Sequence, residues 1–184
     1  MVRVLDKILV IDVEATCWEG DPPEGQTSEI IEIGLCVLDV ASGERSEPRA
    51  IMVRPQRSTL SEYCIQLTTI TPEMLADGLT FTEACELLRE EYRAHQRTWA
   101  SYGDYDRLQF SKQCEQWGIP SPFGSAHINV KNLLALQLGL NNEVGLQHGC
   151  GLLGLAFEGT IHRGVDDAWN IAAVLERVLL GRNR

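Results

Sequence analysis

The 184 residues include sixteen basic and twenty-six acidic side chains, giving a net charge of −10, with 44% apolar and 23% charged residues. This length allows one domain with a real hydrophobic core, and no apolar run is long enough to cross a bilayer. The acidic balance excludes a broad basic surface that would hold nucleic acid non-specifically, but not a small site where bound cations supply the positive charge.

The chain opens with Lys7-Ile-Leu-Val-Ile-Asp-Val13, almost entirely β-branched or leucine, as expected of a central strand covered on both faces. Ile30 to Asp39 alternates around Ile31, Ile33, Leu35 and Val37, and Arg49 to Arg54 ends at Pro55; both read as strands. Ser42-Gly43 predicts a turn and therefore antiparallel pairing. The polar, turn-rich segment Gly20 to Ser28 reads as a loop. A helix follows, with Thr82 as its N-cap and Ala84, Leu88 and Tyr92 as its stripe. Thr98 to Tyr102 reads as a short strand, with Trp99 and Tyr102 in the core. Asp104 opens a helix with Phe110, Cys114 and Trp117 on one face, stopped by Gly118 and Pro120. His127 to Val130 predicts a last strand, followed by helices over Leu133–Leu140 and Leu146–Phe157. The final helix carries the apolar stripe Ala168, Ile171, Ala172, Leu175, Val178 and Leu179. This order predicts an α/β fold: a mixed sheet of about five strands with helices packed on it.

The amino-terminal residues place charge early and do not read as a signal peptide. Cys17, Cys36, Cys64, Cys85, Cys114 and Cys150 form no C-x-x-C pair, which favours buried free thiols in a reducing, cytoplasmic setting. His95, His127 and His148 have no sequence neighbours that would complete a metal site.

Three segments carry candidate chemistry. Asp12 and Glu14 end the apolar strand, and at i and i+2 their carboxylates point to one face, where hard cations would relieve their repulsion. Asp106 falls in the first turn of the helix opened by Asp104. His162 sits in a loop between Gly159 and Gly164, five residues before Asp167; Asp166 is placed to cap the last helix, leaving Asp167 in its first turn outside the apolar stripe. A loop histidine suits proton transfer near neutral pH. Taken singly, each piece has an ordinary explanation: a strand emerging into solvent, an acid favoured by a helix dipole, a surface histidine beside a cap.

Together the pieces run D-x-E, Y-D, H-x4-D, and here the sequence resembles the DEDDh superfamily of 3′→5′ exonucleases. Asp12-Val-Glu-Ala-Thr-Cys17 is similar to the first motif in its histone-mRNA 3′-end exonuclease branch. Gly103-Asp-Tyr-Asp106 resembles the second motif, and His162-Arg-Gly-Val-Asp-Asp167 the third in its histidine form. Ser61 to Thr71 resembles the branch's linking segment, with Thr69 where glycine is usual. The resemblance implies a ribonuclease H-like fold over residues 1–184 as a single exonuclease domain. It implies two Mg²⁺ or Mn²⁺ ions held by Asp12, Glu14, Asp106 and Asp167, with His162 as general base and Glu14 shared between metal binding and catalysis. Single-stranded RNA or DNA 3′ ends would be the substrate, RNA favoured, with nucleoside 5′-monophosphates released. Ala15, Thr16, Cys17 and Trp18 follow the first motif directly and could line the terminal nucleotide; Trp18 either stacks on a base or simply covers a loop. Arg54, Arg57, Arg107, Lys112 and Arg163 are scattered cations that could contact phosphates, but scattered surface charges usually do nothing specific and none of the five is singled out. A nucleic-acid-binding module without catalysis and a proofreading subunit of a polymerase stand as alternatives. No membrane is expected, and protein partners are unreadable.

Overall fold

A computed structural model describes residues 4–181. Its sheet contains β1 (Val4–Ala15), β2 (Ile30–Asp39), β3 (Arg45–Met52), β4 (Arg97–Ser101) and β5 (His127–Asn129) in the order β3-β2-β1-β4-β5. β1, β2 and β3 are antiparallel; β4 and β5 run parallel to β1 and to each other. The helices are α1 (Glu62–Thr68), α2 (Pro72–Leu75), α3 (Phe81–Glu90), α4 (Tyr105–Trp117), α5 (Val130–Leu138), α6 (Leu146–Leu152) and α7 (Gly164–Leu180).

Both faces of the sheet are covered, which is why its central strands read as continuous apolar runs. Leu9, Ile11, Val13, Ile33, Leu35 and Val37 face α3 and α4, packing on Phe81, Leu88 and Phe110. Ile8, Val10, Cys36 and Leu38 face α7, packing on Ala168, Ile171, Ala172 and Leu175. Of the predicted α7 stripe, Leu179 alone is well exposed, at 44%. None of the described helices is long and apolar enough to cross a membrane. All six cysteines are free; five are buried and Cys17 is half-buried.

Several boundaries differ from those expected of the sequence, each for a local reason. β3 begins at Arg45 despite Pro48 because it is an edge strand: its register against β2 shifts between Leu35 and Val37, around Glu47 (φ 54°), so Pro48 sits at a bulge. The cap of α3 is Thr80, two residues before Thr82, because Thr80 and Glu83 form a reciprocal capping box. α5 starts at Val130, where the Asn129 side chain accepts from the Asn132 amide, and α6 ends at Leu152, short of Phe157. The linking segment forms α1 and leads into α2, and together they anchor Cys64, Ile70 and Leu75 against Ile31 of β2.

Two backbone positions carry cost. Thr69 closes α1 in the left-handed region at φ 60°. Gly34 of β2 touches the amino terminus of α7 so closely that an added Cβ would lie 1.8 Å from the Gly164 carbonyl carbon. A β-branched residue at positive φ costs roughly 1–2 kcal/mol that glycine avoids. Thr69→Gly should therefore raise the urea midpoint by an amount worth about 1 kcal/mol, offset in part by unfolded-chain entropy. Gly34→Ala should lower it by at least about 1–3 kcal/mol, since backbone rather than a side-chain tip must yield. Equilibrium urea unfolding with unchanged slope checks both.

Candidate active site

The site follows from strand period and register. Asp12 and Glu14 share a face of β1, and Asp12 pairs with Gly34 and Glu14 with Glu32 across to β2. Directly paired residues of antiparallel strands point the same way. One patch at the sheet end therefore presents three carboxylates and, at Gly34, a gap into which the start of α7 fits. Asp106, in the first turn of α4, reaches this patch through its Oδ1, which accepts from the Val13 amide at 2.9 Å, between Asp12 and Glu14 in the chain. Asp167 lies in the first turn of α7, and its Oδ2 accepts from the His162 amide at 2.9 Å, folding the preceding loop back over the helix start. His162 has φ 62°, a left-handed conformation uncommon for non-glycine residues.

These five residues, Asp12, Glu14, Asp106, His162 and Asp167, line one cavity of about 560 Å³. Glu14, His162 and Asp167 each offer an atom within 4.8 Å of the others, close enough to share one ion. Glu14, Asp106 and Asp167 are buried, 9%, 3% and 7% exposed, whereas His162 is exposed. Burial raises the proton affinity of all four acids, and repulsion by neighbouring carboxylates adds to it for Asp12, Glu14 and Asp167. Glu14 is pushed up to about 9, by desolvation first and then by Asp167, Glu32 and Asp106, with Arg163 pulling back. Asp12 is raised well above the usual carboxylate range by desolvation, then by Asp106, Asp167, Glu14 and Glu32. Asp167 rises to about 7 and Asp106 to about 6, both through desolvation, against the His162 and Val13 amides respectively. This oxygen-rich, under-compensated set suits hard divalent cations.

The neighbouring residues divide. Ala15 and Cys17 line the cavity; Thr16 and Trp18 do not. Thr16 is fully buried, its hydroxyl accepting from the Glu29 amide and donating to the Thr27 carbonyl, which turns it away from the space it was expected to line. Asp104 occupies the N-cap position of α4 without capping it; its carboxylate pairs with Arg107 and accepts from Asn129. Asp166 is not the cap of α7 either: Arg163 holds that position, and Asp166 accepts from the Thr160 amide. Among the scattered cations, Arg163 is committed to Glu32 and Arg107 to Asp104, while Arg57 lies over the Trp117 ring and Arg54 donates to the Ala76 carbonyl.

Sequence reasoning missed Glu32, Tyr105, Leu67 and Phe157, and set aside Tyr102 and His148, although all but Glu32 line the cavity. Glu32 had a signal: it is the one charged residue inside the apolar run Ile30–Val37 and is fully buried. Tyr105, 56% exposed beside Asp106, was marked only by its place in the second motif.

A ribonuclease H-like sheet with four acids and a histidine converging at the strand ends defines a nuclease-type site. The exonuclease family model, of RNase T type, matches residues 9–175, and the chain belongs to that family, within its DEDDh 3′→5′ exonuclease class. The 3′-5′ exonuclease Snipper of Drosophila melanogaster is 30% identical over 91% of this chain and 67% of its own length. Human 3′-5′ exoribonuclease 1 is 31% identical over 95% of this chain and 52% of its own, so the chain spans about half of that relative. A crystal structure of the nuclease domain of 3′hExo, a DEDDh family member bound to rAMP, superposes with a TM-score of 0.86 at 28% identity, over 96% of this chain and 92% of that one.

Because Glu14 keeps its proton up to about pH 9 in the fold but loses it near 4.5 when unfolded, the folded state binds more protons between those values. Stability of the chelator-treated protein is fully present below about pH 4.5 as far as this group is concerned, and is lost as pH rises toward 9. Thermal melts in EDTA should show Tm falling across that window. Melts with Mn²⁺ should flatten the fall, with the largest gain at the alkaline end.

Proposed function

We propose that this chain is a single 3′→5′ exonuclease domain, residues 1–184, that removes nucleotides from the 3′ ends of single-stranded RNA or DNA, with RNA favoured. The observation that carries the reading is the meeting of Asp12, Glu14, Asp106, His162 and Asp167 in one cavity at the sheet end. RNA is favoured because human 3′-5′ exoribonuclease 1 is named for that activity and because the 28%-identical neighbours are complexes with rAMP and with a histone mRNA stem-loop. The free cysteines support a reducing, cytoplasmic setting.

In this reading Asp12, Glu14, Asp106 and Asp167 hold two divalent ions, Mg²⁺ or Mn²⁺, which when bound stabilise the attacking and leaving oxygens of an in-line displacement. The chain's own groups do the rest. His162, exposed at the cavity edge, accepts a proton from the attacking water. The water oxygen bonds to phosphorus while the bond to the 3′ oxygen of the preceding nucleotide breaks. The departing 3′ oxygen takes a proton from solvent, so the products are a nucleoside 5′-monophosphate and a shortened strand with a free 3′ hydroxyl. Ala15 and Cys17 contribute cavity wall beside the terminal nucleotide, and a 560 Å³ cavity lies within the usual size of small-molecule sites.

The test is digestion of 5′-labelled single-stranded RNA and DNA with Mg²⁺ or Mn²⁺ and with EDTA. Wild type should give a ladder shortening from the 3′ end, faster on RNA and abolished by EDTA. Asp12→Ala should remove activity to background, and His162→Ala should lower kcat by roughly 10²–10⁴-fold, the usual contribution of a positioned base. An intact substrate with bound metal would move a non-catalytic binding module to the front.

A further inference from the structure

The fully buried Glu32 has no part in the reading above, yet it belongs to the same sheet-end patch, opposite Glu14. Its two carboxylate oxygens receive the Arg163 guanidinium as a fork, Nε to Oε2 at 3.1 Å and a terminal nitrogen to Oε1 at 3.4 Å. The Gly164 amide also donates to Oε2, at 3.2 Å. Arg163 stands at the N-cap of α7 but makes no side-chain cap of its own. Glu32 therefore caps this helix from another strand, 132 positions away in the chain from Gly164.

Three consecutive residues then do three different things. His162 lines the cavity, Arg163 is forked onto Glu32, and Gly164 is pressed onto the backbone of Gly34 and Asp12. Asp167 closes the unit, its amide donating to the Arg163 carbonyl and its carboxylate receiving the His162 amide. The left-handed backbone of His162 persists only where its surroundings over-determine it, and Glu32 supplies the tie on its sheet side.

We propose that Glu32 and Arg163 are positioning residues: the buried fork between them sets the register of the α7 amino terminus against the sheet, and with it the placement of His162 and Asp167 over Asp12 and Glu14. A purely structural pair is the weaker account. Buried ion pairs stabilise little that apolar residues could not, and a further carboxylate beside four others is costly unless its directionality is used. The planar fork supplies direction that a point charge cannot. The kinetic part of this inference rests on the exonuclease reading; the geometric part does not.

The test uses Glu32→Gln, Arg163→Lys, Arg163→Met and the double variant Glu32→Gln/Arg163→Met, with two readouts. In chelated protein, hydrogen exchange should quicken at least about tenfold at the His162 and Gly164 amides of Glu32→Gln, through local opening, while β1 and β2 amides stay protected. In steady-state digestion of single-stranded RNA, kcat should fall on the order of 10²-fold with KM little changed, as expected of misplaced reacting groups. Arg163→Lys should retain part of the rate. The double variant should regain Tm relative to Arg163→Met without regaining kcat. Unchanged exchange at both amides, or kcat returning together with Tm in the double variant, would overturn the proposal. If Glu32→Gln loses protection throughout the sheet, Arg163→Lys carries the exchange test with the same criterion. A wild type that digests nothing defeats the exonuclease reading, while the exchange result still decides whether the fork positions the loop.

Discussion

Five carboxylates, those of Asp12, Glu14, Glu32, Asp106 and Asp167, gather at one end of a sheet whose remaining surface is covered by apolar helices, with Arg163 facing them through Glu32. Their mutual repulsion and lost hydration are the terms that the surrounding structure has to accommodate. Each carboxylate with a defined partner is held by a directional bond: Asp106 by the Val13 amide, Asp167 by the His162 amide, Glu32 by Arg163 and Gly164. Burial and repulsion raise the proton affinity of Asp12, Glu14 and Asp167, and a proton on Glu14, raised to about 9, offsets part of the remainder in the metal-free state. Divalent cations held by the proposed ligands would offset it more completely and would give an acidic protein a local means of meeting a phosphodiester.

The geometry needs few elements. A two-residue strand period points Asp12 and Glu14 the same way, and antiparallel register adds Glu32 and Gly34 to that face. Two helix starts, those of α4 and α7, bring Asp106 and Asp167 to the same edge, where the positive end of each helix dipole favours an acid. Gly34 lacks a side chain because the backbone of Gly164 occupies that volume. The same close contact that packs α7 onto the sheet thus also brings Asp167 to the cavity.

The central strands and α7 were legible in the chain because their apolar periodicity is long and both faces are buried; the first motif followed, since a D-x-E pair ending such a run has one orientation. Glu32 was not, for a physical reason. Alternation around Ile31 and Ile33 assigns the intervening residue to a solvated face, and only the α7 start, distant in sequence, shows that this face is covered. Arg163 was read as a free cation for the same reason, its partner lying on another strand. Thr80 displaced Thr82 as a cap because the choice depends on a reciprocal bond to Glu83. The short helices α1 and α2 have too few turns for periodicity to reveal. Thr16 and Trp18 adjoin the first motif in sequence, but they alternate with Ala15 and Cys17, and only the latter two line the cavity.

In the metal-free site, protons stand where cations would bind. Calorimetric titration of Mn²⁺ into chelator-stripped protein at pH 7, in two buffers of different ionisation enthalpy, tests it directly. With Glu14 raised to about 9 and Asp167 to about 7, binding should release about one proton or more per chain, and the observed enthalpy should shift with the buffer accordingly. Saturable binding with no proton released would contradict the claim that repulsion and burial govern the site, and no binding at all would contradict the assignment of these acids to a metal centre.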